Sequence, residues 1–215
     1  LNSKGKIIVF IDDDELPIDM LWLYNISKPI MEENEYVVTA GTMIQLKQDY
    51  LTDSISLLGF PGGGAVGFET MWPLKEKNYT EHLCSGNLAI KRDILIKIGM
   101  FSSELKNGNE DVNLADKLIS NNIKIRYEKN ATIYHLPRKG FLNFIKWNFL
   151  RGKSAAEYLQ NSNEKGKGKV NNRIESSKRI LSKTITTKYF LGIIFMMLNQ
   201  YLWQGIGYII GKCKK

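Results

Sequence analysis

Apolar and polar positions set out the elements of this chain in order. Ile7-Ile8-Val9-Phe10-Ile11 is an unbroken apolar run of β-branched and aromatic residues, the pattern of a buried strand, and it runs directly into Asp12-Asp13-Asp14-Glu15. From Leu16 to Ile30 the apolar residues Ile18, Leu21, Trp22, Ile26 and Ile30 recur at helical spacing, with Pro17 near the first turn. Tyr36 to Gly41 predicts a second strand, and 45–80 reads as irregular. Within it, Phe60-Pro61-Gly62-Gly63-Gly64 is a loop by its Pro and Gly, either a phosphate cradle of backbone N–H groups or a plain insertion loop. Leu83 to Lys91 predicts a turn feeding a short strand, and Arg92 to Ile98 a short helix closed by Gly99. Glu110 opens a helix through Ile119 with Val112, Leu114, Ala115, Leu118 and Ile119 on its apolar face, and acidic residues at a helix start suit the macrodipole. Ile123–Tyr127 and Ala131–Tyr134 read as two short strands, with His135 ending the second.

The carboxyl-terminal third has a different character. Residues 141–160 form an amphipathic basic helix or helix pair, and the Asn/Lys/Gly-rich stretch 161–173 reads as a solvated linker. Residues 189–211 are long and apolar enough to span a bilayer, with Asn199, Gln200 and Gln204 as the strongly polar members. On a helical wheel Lys188, Gly192, Asn199, Gln200, Gln204, Gly207 and Gly211 share one arc of roughly 160°. Leu191, Ile194, Leu198, Leu202 and Ile209 lie opposite. This stripe fits an in-plane membrane helix, a spanning helix with a packing face, or a core helix of a soluble fold. The expected organisation is therefore 1–137 as an α/β unit, 138–187 as a basic helical region and linker, and 188–215 as an apolar membrane-associated segment.

Charge sharpens this division. Residues 1–137 carry 14 Lys/Arg against 19 Asp/Glu, whereas 138–188 carry 13 against 3, although the whole 215-residue chain is only +8. A basic second part calls for an anionic partner, and the apolar stretch that follows makes a lipid surface a better candidate than nucleic acid. The length allows one core, or one core with an appendage. Cys84 and Cys213 match no zinc spacing and indicate a reducing compartment. No signal peptide is visible, and the starting Leu1 suggests that the native amino terminus lies elsewhere.

The chemistry concentrates at element ends. Four carboxylates in succession after a buried strand repel one another and call for a counter-charge, and a divalent cation with oxygen ligands supplies it. Ligand sites in open α/β sheets lie beyond the carboxyl ends of strands. Glu110-Asp111 and His135 are two further polar features at element ends. The order is a strand ending in Asp-x-Asp, then Gly-Asn-Leu-Ala-Ile-x-Arg at 86–92, Gly-x-Phe at 99–101 and Gly-Asn-Glu-Asp-Val-x-Leu at 108–114. It closes with Lys-Ile-x-Tyr at 124–127 and His135. Over residues 7–135 this resembles family 2 of the nucleotide-sugar glycosyltransferases, which have the GT-A fold.

The resemblance implies a partial GT-A, Rossmann-like α/β domain with a mixed sheet, followed by a helical basic and apolar carboxyl-terminal region. It implies that Asp12 and Asp14, with His135, hold Mg²⁺ or Mn²⁺, Asp14 being the stronger ligand, and that Asp12 and Asp13 serve the diphosphate of the nucleotide sugar. Asp111 would be the general base toward the acceptor hydroxyl, with Glu110 supporting it, and Gly86 and Asn87 would line the acceptor side. Arg138 and Arg151 would pair with phosphate oxygens. Relatives begin with a βαβ unit that contacts the base and ribose, and nothing here corresponds to it, so the chain is expected to lack the amino-terminal nucleotide-binding half. The function so implied is metal-dependent inverting transfer of a sugar to a glycan or lipid-linked hydroxyl acceptor, in cell-surface polysaccharide or glycoconjugate synthesis. The implied place is the cytoplasmic face of the cell membrane, against an anionic surface and without nucleic acid. The alternative is a non-catalytic metal- and membrane-binding remnant. A two-metal phosphoryl-transfer site beside a nucleic-acid surface is a third reading, disfavoured by the motif order and by the apolar 189–211.

Overall fold

The computed structural model describes residues 2–33, 35–60, 62–103, 105, 108–136, 140–161 and 167–213, with only the backbone described at 161 and 167–171. Its frame is a six-stranded mixed sheet of β1 (Ile7–Ile11), β2 (Glu15–Pro17), β3 (Val38–Gln45), β4 (Tyr79–Thr80), β5 (Asn87–Lys91) and β6 (Ile125–His135). The order across the sheet is β1-β5-β3-β6-β2, with β4 added on β6. Only β3 and β6 run parallel.

Each sheet face is covered because its alternate residues are apolar. On one face Ile8, Val38, Leu88, Ile90 and Ile125 pack with Leu95 and Ile98 around α4 (Arg92–Lys97) and with Leu114, Ala115 and Leu118 of α5 (Glu110–Ser120). On the other, Met43, Ala89, Ala131 and Ile133 receive Trp22, Ile26 and Ile30 of α1 (Trp22–Glu32). A third core joins α2 (Tyr50–Leu57) and α3 (Phe68–Met71) to α6 (Phe141–Asn161), α7 (Lys167–Thr184) and α8 (Phe190–Cys213). Ile55, Leu58, Met71, Phe144, Ile180, Ile193 and Met196 are among its buried members.

The β3–β6 ladder contains a break that the rest of the sheet accommodates. Gly41 pairs with Glu128, but the next residue, Thr42, pairs with Thr132, so three residues of β6 bulge out. The fully buried Asn87 bridges this step. Its Nδ2 donates to Thr42 O and to Ala131 O, both at 2.8 Å, and its Oδ1 accepts from Trp22 Nε1 at 3.0 Å. A Cβ at position 41 would collide with Ala131 O and the Asn87 amide, so glycine is required there.

Helix α8 lies parallel to α6. Phe141 stacks on Phe195, Gln204 Nε2 donates to Asn148 Oδ1 at 2.9 Å, and Gly207 and Gly211 press against Phe149 O and Ala156 Cβ. Gly152 of α6 meets Gln204 O just as closely. At its other end, Gly192 N donates to Tyr50 Oη and Tyr189 Oη donates to Asp53, which seats the helix on α2. The polar and small stripe thus faces the protein, while Leu191, Phe195, Leu198, Leu202 and Ile209 are exposed. Phe190–Cys213 is long and apolar enough to cross a membrane by length and composition, with a mean hydropathy of 1.2 over its most apolar window.

Four sequence expectations need correction. The helix expected from Leu16 begins at Trp22, because Glu15–Pro17 pairs as a strand with β6 and Asp19 caps the chain at Leu21 N. The stretch 45–80 holds α2, started by Asp49, whose side chain accepts from Thr52 N. The two strands expected at 123–134 are one strand, continuous through the bulge. Residues 167–173, read as linker, belong to α7. Its cations turn partly inward: Arg179 donates to Thr70 O and Met71 O, and Lys183 to Val66 O and Thr70 Oγ1. The glycine loop packs tightly, since a Cβ at Gly62, Gly63 or Gly64 would strike Met43, Phe68 N or Ser56 O.

Asn87→Ala leaves Thr42 O, Ala131 O and Trp22 Nε1 without their partner inside the core. Buried groups that lose a hydrogen bond cost about 1–3 kcal/mol each, not fully additive, so a loss of roughly 3 kcal/mol is expected by urea unfolding.

Candidate active site

The site grows from the turn between β1 and β2. Strand β1 ends at Ile11, and Asp12-Asp13-Asp14 form the turn. The chain is then drawn back into the sheet at Glu15, which pairs opposite His135, the last residue of β6. Leu136 N donates to Asp14 O at 2.8 Å and clamps the two chain segments together. The pairing brings His135 Nε2 to 3.5 Å from Asp14 Oδ2. Asp14, Glu15 and His135 each offer a ligand atom, all within 4.8 Å of one another.

Glu15, which the sequence reading counts among the four successive carboxylates but not in the ligand set Asp12, Asp14 and His135, is the most buried of the four. It is 5% exposed, and its Oε2 accepts from Asp12 N at 2.8 Å. Its Oε1 is buried with no hydrogen-bond partner among the described residues. Burial pushes its carboxyl pKa up to about 8, reinforced by the charges of Asp12 and Asp14 and opposed by the Asp12 N–H. Two carboxylates and one imidazole, with an unsatisfied carboxylate oxygen among them, fit Mn²⁺ or Mg²⁺. Asp14 is half-buried, whereas Asp12 and Asp13 are exposed at the turn. Asp12 stands outside the three-residue ligand group, although its Oδ2 crowds the Cα of Gly86 together with both Glu15 oxygens.

Gly86, expected on the acceptor side, therefore packs directly against the carboxylate cluster, where a Cβ would collide with Glu15 and Asp12. Asn87 beside it is fully buried and its amide is committed to the sheet, so its contribution is to hold Gly86 in place. Glu110 and Asp111 open α5 after Asn109, which takes the left-handed conformation at φ 67°. Asp111 Oδ1 accepts from Val112 N at 2.7 Å. Burial raises the pKa of the Cys84 thiol most, and the charges of Asp111, Glu15 and Asp12 raise it further.

Helix α6 buttresses the α5 turn. Ser154 Oγ donates to Gly108 O and Tyr158 Oη to Asp116 Oδ2. Arg151, one turn before Ser154, lines a cavity of about 1050 Å³ together with Asn109 and Asp111. Arg138 lies outside the described residues.

No family model matches the sequence, and no curated protein does. Among solved structures, the chain is similar to the mannosyltransferase PcManGT from Pyrobaculum calidifontis, in complex with GDP-Man and Mn²⁺, at 14% identity and a TM-score of 0.49. That match covers 98% of this chain and 61% of the other. It is also similar to GalNAc-T7 with UDP, GalNAc and Mn²⁺, at 11% identity and a TM-score of 0.43, covering 86% of this chain and 42% of the other. This chain thus spans 61% of the length of the first and 42% of the second. Both likenesses are coarse, and the functional reading rests on the chain's own residues.

A carboxyl whose pKa rises on folding stabilises the fold below its unfolded value and loses that contribution as pH climbs through the folded value. Without metal, thermal stability should fall between pH 4.5 and about 8 as Glu15 is forced to ionise. Mn²⁺ must displace that proton, so the rise in Tm it produces should be larger at pH 8 than at pH 6. Gly86→Ala should abolish the Mn²⁺ effect at both, as read by thermal melts with and without the metal.

Proposed function

We propose that the chain carries the metal and acceptor side of an inverting glycosyltransferase that moves a sugar from a nucleotide-sugar donor to a hydroxyl acceptor. The observation that carries this reading is the Asp14–Glu15–His135 cluster, whose ligand atoms lie within 4.8 Å of one another, together with the charges of Glu15 and Asp111 both acting on the Cys84 thiol. The motif order along 7–135 points the same way.

Asp14, Glu15 and His135 would hold Mg²⁺ or Mn²⁺, with Asp12 and Asp13 at the rim toward the diphosphate. The cation, when bound, supplies charge that offsets the negative charge growing on the leaving diphosphate. Gly86 keeps the carboxylates unobstructed. Asp111 removes the proton from the acceptor hydroxyl as its oxygen attacks the anomeric carbon, and the carbon–oxygen bond to the diphosphate breaks on the opposite face. Glu110, beside Asp111 at the helix start, supports the acceptor. A base on the face opposite the leaving group inverts the anomeric centre.

The outward apolar ridge of α8, Leu191, Phe195, Leu198, Leu202 and Ile209, supports a place at a membrane surface. The exposed Lys146, Lys188 and Lys212 suit an anionic leaflet, and a cytoplasmic face agrees with the cysteine usage. There the acceptor would be glycan- or lipid-linked, as in cell-surface polysaccharide synthesis.

Asp111→Asn should lower sugar transfer roughly 10²–10⁴-fold while nucleotide-sugar affinity stays nearly unchanged, the signature of a lost general base. Unchanged turnover removes Asp111 from that role. In liposome flotation with anionic vesicles, the full chain should float, and Leu198→Glu combined with Leu202→Glu should not. Equal flotation of both excludes the α8 ridge as the contact.

A further inference from the structure

The cavity that Asp111 shares with α6, α7 and α8 holds a charge pattern that metal binding leaves unused. Arg173 of α7 is half-buried: its Nη2 donates to Gln200 Oε1 at 3.0 Å, its Nη1 points at Met71 Sδ at 3.9 Å, and its guanidinium lies 4.7 Å from the centre of the Phe60 ring. Arg151 of α6 approaches the same ring at 5.7 Å and Trp147 at 4.8 Å. Among the described residues neither guanidinium has a carboxylate within ion-pair distance. Burial pushes the Arg173 pKa down to about 10, and the neighbouring Arg151 charge acts in the same direction.

Two converging cations, one of them half-buried and neither paired with a carboxylate among the described residues, are costly unless a ligand completes them. The acids on the cavity wall are engaged elsewhere, Glu81 with Lys75 and Asp116 with Tyr158, and Asp111 is the base of the proposed transfer reaction. The guanidinium fork matches phosphate oxygens, and a phosphate carries enough charge to answer two arginines. The donor diphosphate belongs with the metal, yet Asp12, Asp14, Glu15 and His135 are absent from the cavity lining. Its remaining walls include Trp72, Tyr201 and Tyr208, apolar surface suited to the group esterified to such a phosphate.

We propose that this cavity is a phosphate subsite of the acceptor, in which Arg151 and Arg173 hold a phosphate group in the same chamber as Asp111. This rests on the reading of Asp111 as facing the acceptor. It identifies the acceptor class as a hydroxyl compound carrying a phosphate, whether a soluble ester or a lipid headgroup.

The test is calorimetric titration of the full chain with inorganic phosphate in EDTA. Phosphate should bind without metal, equally well in Asp14→Ala. Its affinity should fall roughly tenfold or more in Arg173→Gln and in Arg151→Gln, each the loss of one charge-assisted partner. Arg151 bonds to no protein oxygen in the described structure, so its variant keeps the test valid should Arg173→Gln misfold. No binding in EDTA overturns the proposal, and so does unchanged affinity in both arginine variants or a dependence on Mn²⁺ and Asp14. Competition then separates the sources. Displacement by glycerol phosphate supports a soluble ester, displacement only by phosphatidylcholine vesicles containing phosphatidic acid supports a lipid headgroup, and displacement by neither overturns the proposal. Because the readout is phosphate binding, its failure leaves the transfer reaction to be judged separately by Asp111→Asn.

Discussion

A single buried amide spans the break in the β3–β6 ladder. Where β3 and β6 lose register between Gly41 and Thr42, the Asn87 side chain donates to backbone oxygens on both strands and accepts a hydrogen bond from Trp22 Nε1. Three residues of β6 can bulge out because those hydrogen bonds are replaced rather than lost. Beyond the bulge, β6 resumes its ladder and ends with His135 opposite Glu15. The residue before Asn87 is Gly86, pressed against Glu15 and Asp12. The amide thus fixes both walls of the carboxylate cluster, one through the course of β6 and one through its own neighbour.

Burial gives the cluster its character. Glu15 sits inside the sheet next to two other carboxylates, and its raised pKa is the cost of that placement without a cation. An exposed run of acids would ionise independently and hold a metal weakly. Here the ladder pairing fixes geometry, and Asp12 N–H and the Asp14–His135 approach fix orientation.

Much of the frame was legible in residue order. Strand β1, helix α5, helix α6 and helix α8 follow their apolar periods closely, because each buries one coherent face. Helix α2 escaped notice because its buried positions include Thr52, Ser54 and Ser56, which read as polar loop, and only the Asp49 cap marks its start. The single strand β6 looked like two because Glu128, Lys129 and Asn130 interrupt it, and the bulge lies there. Within the site, Asp14 and His135 stand out as element-end residues. Glu15 does not, since only its pairing with His135 makes it central. Arg173 lay in a stretch that reads as solvated linker, and no local pattern announces that it turns inward between Phe60 and Gln200.

The glycines of α6 and α8 set how stiffly the carboxyl-terminal helices act. Gly152, Gly207 and Gly211 let main chain rest on main chain, without intervening side chains that could change rotamer and absorb a displacement. Along the same helix, Ser154 grips Gly108 just ahead of Glu110 and Asp111, and Arg151 lies one turn earlier. Pressure on the outer face of α8 is therefore passed through α6 to the turn that carries Asp111 as a rigid lever would pass it. Whatever surface that face rests against becomes part of the mechanical support of the acidic pair.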